Sequence, residues 1–165
     1  MSRLTTVPRA ATLGLFAAWV VHDLEELLTT APWTRRMARR VPWARPMSQA
    51  HVNVGITLMG VVVAAASVAG VRSGGRSGFY QAALAGFGWH AAGHVLAAGA
   101  LREYTPGLVT SLLLVAPFSS WAWVRLGAAG VPRDGRRATA RGALLTSASL
   151  LVAHTAAAIL THRRR

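Results

Sequence analysis

The chain has 165 residues, of which 53% are hydrophobic, and its formal net charge is +13. All 18 basic residues are arginines, and most of them lie in the gaps between long apolar blocks, a layout typical of membrane-protein loops facing anionic headgroups. This layout argues against a basic nucleic-acid-binding domain, and we expect no nucleic-acid partner. Cysteine is absent, which excludes disulfides and thiolate metal sites.

Five largely apolar segments follow one another along the chain, each long enough at about 1.5 Å per residue to cross a hydrocarbon core of about 30 Å. Lipid offers the backbone no hydrogen-bond partner, so segments this long should be helices. We predict an all-α fold, a polytopic bundle that forms one transmembrane domain over residues 1–165 in the lipid bilayer. The predicted spans cover residues 9–33, 51–71, 77–101, 105–126 and 142–162.

The first span contains "WVVHDLEELL", residues 19–28, which holds three of the five acidic residues of the chain. His22, Glu25 and Glu26 are spaced i, i+3 and i+4 and share one helix face. Asp23 is turned about 100° away, and we expect it to contact the ligands from behind or to meet a headgroup. An ionised carboxylate at mid-membrane costs roughly 2.5 to 3.5 kcal/mol, so these acids should face inward and find partners. We interpret the face as a functional site, with a structural ion-pair cluster as the alternative.

Arginines recur at helical spacing in "TRRMARRVPWARP", which follows the first span. This pattern predicts a short interfacial helix near residues 33–41, ended by Pro42 and Pro46. The second span begins with His51 and Asn53 in its first turn, where they either cap the helix, meet headgroups or join the site.

The third span carries His90 and His94, which are spaced i and i+4 and share one face. Gly86 and Gly93 lie on or beside that face, and small residues there let another helix approach closely. His90 lies 13 residues after the start of its span, at about the depth of His22 in the first span. The first and third spans can therefore face each other with their carboxylates and imidazoles between them.

Neutral histidines beside carboxylates form a ligand set suited to zinc, iron or manganese, and we predict a divalent metal ion as cofactor. Glu25 and Glu26 are also the candidates for a catalytic role. The predicted metal ligands are His22, Glu25, Glu26, His90 and His94. The additional site candidates are Asn53, His51, Tyr104 at the mouth of the fourth span, and His154 in the fifth.

The stretch "WVVHDLEELLTTAPW" resembles the signature of the HXXEE-domain family of bacterial integral membrane proteins, with His22, Glu25 and Glu26 at its named positions. The stretches "HVN", "GWHAAGH" and "REYTPGLVT" are also similar to the downstream pattern of that family. The resemblance covers roughly residues 15–125 and implies no particular reaction, because the function of the family is unknown.

Three functions fit these observations. The first is a membrane-embedded metal-dependent enzyme, a hydrolase or an oxidoreductase, acting on a lipid-soluble or small substrate near one membrane face. The second is a small proton- or ion-coupled transporter or binding protein that uses the His/Glu cluster as a relay. The third is an assembly protein whose cluster only fixes helix pairing.

We expect an integral protein of the bacterial cytoplasmic membrane, and the fold is compatible with a homo-oligomer. The arginines divide nine to nine between the two sides of the predicted bundle, so the positive-inside rule predicts no orientation.

Overall fold

The structure, a computed structural model, describes residues 6–162, and within this range the chain forms five helices and no strand. The arginine balance given above includes Arg3 and the arginines at 163–165, which lie outside the described residues. The helices are α1, Arg9–Arg40; α2, Gln49–Arg72; α3, Gly78–Leu101; α4, Leu108–Ala128; and α5, Gly135–His162.

Helix α1 continues unbroken through Pro32 to Arg40, so the prediction of a separate interfacial helix near residues 33–41 is wrong. Its last turns are anchored on the connection between α3 and α4. Trp33 Nε1 donates a hydrogen bond to the Tyr104 carbonyl at 3.0 Å, and Arg40 forms an ion pair with Glu103 at 2.7 Å. These contacts hold the segment in line with the rest of α1.

Three helices of the described chain, α2, α4 and α5, are long and apolar enough to cross a membrane, which indicates a membrane protein. The prediction of five such helices is therefore wrong. Helix α1 falls short because acidic residues interrupt its apolar run and arginines fill its last turns. Helix α3 falls short because it places Gln81, His90 and His94 among alanines and glycines, which add little hydropathy.

Glycines set how closely α3 and α5 approach each other. A Cβ added to Gly142 of α5 would lie 2.6 Å from the Ala82 carbonyl oxygen and 2.7 Å from the Gly86 nitrogen of α3. Gly86 therefore packs against α5 and not against α1, and a Cβ added to Gly93 would meet nothing within 4 Å. Gly86 therefore allows the close approach of α5, whereas the sequence pattern predicts the close approach of α1.

Helix α1 is joined to α3 through the core. Tyr80 is fully buried, and its hydroxyl donates a hydrogen bond to the Ala11 carbonyl at 2.5 Å. Leu15 of α1, Leu84 of α3 and Leu126 of α4 belong to the same buried cluster. This packing fixes α1 and α3 relative to each other.

Helix α4 starts in an unusual way. Gly107, which precedes it, has a φ of +81°, a left-handed conformation that favours glycine. After one short α-helical stretch, residues 111–115 form a π-helix before the α-helix resumes at Ala116. Single π-helical turns inside α-helices occur frequently at functional sites.

Candidate metal centre

Four predicted ligands meet between α1 and α3. His22, Glu26, His90 and His94 each offer one ligand atom, and these atoms all lie within 4.8 Å of one another. His94 Nε2 lies 2.9 Å from His90 Nε2 and 3.4 Å from Glu26 Oε1. The centroid of the His22 ring lies 5.3 Å from that of His90 and 5.1 Å from that of His94.

Helical spacing explains how two short motifs build this group. His22 and Glu26 are one turn apart on α1, and His90 and His94 are one turn apart on α3, so each helix presents two ligands on one face. His22 is fully buried, and the edge of its ring contacts Phe87 with a centroid distance of 5.8 Å. The remaining predicted ligand, Glu25, lies outside the group.

Glu25 instead binds the first turn of α4. Its carboxylate accepts hydrogen bonds from the backbone N–H of Val109 at 3.2 Å and of Thr110 at 2.8 Å. It also accepts hydrogen bonds from the Thr110 hydroxyl at 2.5 Å and from the Tyr104 hydroxyl at 2.7 Å. Partial burial raises the pKa of Tyr104 above its ordinary value, which keeps this hydroxyl protonated and able to donate. Glu25 thus caps a helix N-terminus, where a negative charge is stabilised.

Thr110 connects Glu25 to the group. A carboxylate only accepts hydrogen bonds, so the Thr110 hydroxyl donates to Glu25 and uses a lone pair to accept from another donor. That donor is His22, whose Nδ1 lies 2.8 Å from Thr110 Oγ1. This network assigns the proton of the neutral ring to Nδ1 and leaves Nε2 as the atom with a free lone pair.

The segment before α4 also packs against His94. The His94 Nε2 faces His90 and Glu26, and its Nδ1 would lie 3.1 Å from a Cβ added to Gly107. A Cβ added to the neighbouring Gly107 would lie 2.8 Å from Cε1 of both His22 and His94. Only glycine fits between these rings and α4, which explains the glycine in a second way besides its positive φ.

The donor set fits a divalent metal ion. Four buried side-chain polar atoms of the described residues lack a hydrogen-bond partner, and His22 Nε2 is the one nitrogen among them. A buried unpaired polar atom costs about 1–3 kcal/mol, so a native structure should satisfy it. A ligand bond from Nε2 would do so, with Nδ1 held by Thr110 as the outer partner that metal-binding histidines commonly have. Three imidazoles and one carboxylate suit zinc, iron or manganese.

Two connected cavities reach this group from one side. We call the first the inner cavity; it lies between α1, α2, α3 and α5, and Asp23, Glu26 and His90 line it together with mainly apolar side chains. The second, the middle cavity, shares these three residues and extends to His51 and His154. The face of the group formed by Glu26 and His90 is thus open to a small molecule.

The additional candidates lie at different places. His51 Nε2 and His154 Nδ1 lie 2.9 Å apart, and their stacked rings line the middle cavity without joining the four-residue group. Asn53 accepts a hydrogen bond from Gln49 at 3.0 Å. Tyr104 acts on Glu25, as described above.

Sequence reasoning missed two residues of this region and assigned a third, Asp23, to a contact behind the ligands or with headgroups. Thr110 and Gly107 lie in "REYTPGLVT", a stretch used for the resemblance, but nothing local to it shows that α4 would meet α1. Asp23 is turned away from the shared face of α1, yet it is only 7% exposed and lines both cavities. Its burial signals that other helices cover a second face of α1, a contact that helical spacing alone does not reveal.

Comparison with curated proteins and with solved structures finds no match to this chain. A family model does match, over residues 13–122, and confirms the resemblance noted from the sequence. The matched region contains the four-residue group together with Glu25 and Thr110. The chain therefore belongs to the family described as proteins of unknown function with an HXXEE motif.

Proposed function

We propose that this protein is a membrane-embedded metal-dependent enzyme that acts on a lipid-soluble or small substrate near one membrane face. The observation that carries the proposal is the buried, unpartnered Nε2 of His22, which belongs to a group of four potential ligands and is held in its tautomer by Thr110. A merely structural cluster would gain nothing from leaving this nitrogen unpaired.

In this proposal His22, Glu26, His90 and His94 hold the ion. When bound, the ion supplies a Lewis acid beside the substrate, for hydrolysis or for an oxidation. Cavities lined by Glu26 and His90 give a substrate access to this side of the centre.

The other two acids of this stretch, Glu25 and Asp23, take different roles. Glu25 has its oxygens occupied by four donors, so we assign it to positioning His22 through Thr110 and not to proton transfer. Asp23 lines the same cavities as Glu26 and is the carboxyl group placed to exchange a proton with a bound substrate. The catalytic role predicted for Glu25 thus passes to its neighbour.

The second candidate is a proton- or ion-coupled transporter that uses the cluster as a relay. One observation favours it, because Asp23, Glu26 and His90 share the middle cavity with the His51–His154 pair. Buried ionisable groups in series are typical of such pathways.

Metal analysis of the purified full-length protein separates these candidates. We expect about one equivalent of zinc, iron or manganese, lost in His22→Ala and in Glu26→Ala because each removes a ligand. His154→Ala, which removes a histidine outside the group, is the matched control and should keep the ion. Metal-free wild-type protein that shows pH-dependent flux in vesicles would favour the transporter instead.

A further inference from the structure

A third space, at the surface, adjoins the middle cavity. We call it the outer cleft; it shares Met47, His51 and His154 with the middle cavity and extends along α5 to Thr161. The inner cavity extends along the same helix in the other direction to Leu145. Thr161 lies 16 positions after Leu145, which corresponds to a path of about 24 Å along the helix. The candidate metal centre adjoins this path between its two ends.

The inner end of the path is apolar. Trp19, Val63, Phe87 and Leu145 are among its lining side chains, and its volume of about 70 Å³ adds to the volume of about 280 Å³ in the adjoining middle cavity. Ligand pockets typically measure about 300 to 1,000 Å³. An apolar chain fits this end, whereas a charged group there would face mainly hydrocarbon side chains.

The outer end of the path is polar and basic. Arg45 lines the outer cleft together with the His51–His154 pair, Ser48 and Asn53. No carboxylate is among the described residues that line the cleft, so the charge of Arg45 is not compensated there. An arginine beside histidines and hydroxyl donors is suited to an anionic phosphate or carboxylate group.

From these observations we propose that the path binds a single-chain amphiphile, with its anionic head at Arg45 and its hydrocarbon tail running through the middle cavity so that its end lies in the inner cavity. This assigns the substrate class of the proposed enzyme and rests on that function only in calling the ligand a substrate. The amphiphile would lie against the face formed by Glu26 and His90. The middle of its chain would therefore be next to the candidate metal centre. The His51–His154 hydrogen bond lies between the outer cleft and the inner spaces and must open for the chain to pass.

Photolabelling tests the proposal without any activity assay. The probe is dodecyl phosphate with a diazirine on its terminal carbon, added to wild-type protein in phosphatidylcholine nanodiscs. We expect labels in residues 83–87 and 145–150, suppressed at least fivefold by excess dodecyl phosphate and not by dodecanol. Labels confined to outward-facing residues such as Val61, Leu144 and Leu151, or equal competition by dodecanol, would overturn the proposal.

Variants at the two ends sharpen the test. Arg45→Gln should reduce labelling at a subsaturating probe concentration about tenfold, whereas Arg72→Gln, at the other end of α2, should leave it unchanged. Ala83→Phe should displace the label from the inner cavity, and Ser149→Phe on α5 fills the same cavity should the first variant not fold. Equal labelling of Arg45→Gln and Arg72→Gln contradicts the head assignment.

Metal content, measured on the same samples, keeps the two proposals apart. Metal-free protein that labels as expected would refute the metal-dependent enzyme and leave the amphiphile site standing. Metal-loaded protein without labelling that dodecyl phosphate suppresses would refute the amphiphile site and leave the metal-dependent enzyme standing.

Discussion

His22 Nδ1 lies 2.8 Å from the hydroxyl oxygen of Thr110, a residue 88 positions later in the chain. The same hydroxyl donates to Glu25, so a carboxylate on α1 sets the tautomer of a histidine on α1 through a side chain of α4. This three-residue connection is the clearest sign that His22 is prepared to act as a ligand through Nε2, because it fixes the ring orientation as well as the proton position.

Thr110→Val should therefore weaken metal binding. Valine keeps the volume of threonine but accepts no hydrogen bond, so His22 Nδ1–H loses its partner and the ring loses its fixed tautomer. Loss of such an outer partner typically lowers metal affinity 10- to 100-fold, and we expect an effect of this size in a competition titration with a chelator. Thr110→Ser retains the hydroxyl and should restore most of the affinity. Equal affinities for the two variants would contradict the proposed connection from Glu25 through Thr110 to His22.

Gly107→Ala should disturb the centre without removing any ligand. The backbone at φ +81° costs alanine about 1–2 kcal/mol, and the new Cβ would clash with the rings of His22 and His94. We expect a lower melting temperature together with a reduced metal content. Gly99→Ala is the matched control, since a Cβ there meets nothing within 4 Å on a regular helix. A Gly107→Ala protein with normal metal content would show that α4 does not constrain the two rings.

Neighbouring acids of α1 should behave differently when each is neutralised. Glu26→Gln replaces a ligand oxygen by a neutral amide, and we expect metal content to fall to near zero. Asp23→Asn changes a side chain that lines the cavities outside the group, so the ion should stay bound. Metal analysis of both proteins at one pH checks the assignment, and retention of the ion by Glu26→Gln would remove Glu26 from the ligand set.

Gly142→Ala should lower stability by separating α3 from α5. The added methyl group would meet the backbone of Ala82 and Gly86, which cannot rotate away as a side chain could. Overpacking of this kind costs about 1–3 kcal/mol, which thermal unfolding in detergent can detect. Gly135→Ala, at the start of the same helix with no atom near its Cβ, should unfold like the wild type. If both variants unfold alike, α3 and α5 are not in contact at Gly142.

Much of the site could be predicted from two short motifs because helical spacing is local. The i, i+4 positions of His22 with Glu26 and of His90 with His94 place each pair on one face whatever surrounds them. Local spacing could not tell that Glu25, on the same face, would be taken up by α4, because that contact joins residues far apart in sequence.

The extent of the apolar helices was also hard to predict. The sequence pattern treated α1 and α3 as spans by length, but their polar residues lower the hydropathy below that of α2, α4 and α5. Likewise, the arginine spacing favoured a separate helix near residues 33–41, whereas α1 continues to Arg40 and its last turns contact Tyr104 and Glu103. The first difference follows from local composition, whereas the second involves contacts with residues far away in the sequence.

The six residues that join α3 to α4 also limit how this protein can diverge. Loops usually tolerate insertions and deletions because they run over the surface with few obligations. Here the Tyr104 hydroxyl donates a hydrogen bond to Glu25, and Gly107 fits against the rings of His22 and His94, so a change of even one residue in length would shift both contacts. We therefore expect homologues to keep the length of this connection constant while the turn between α4 and α5 varies.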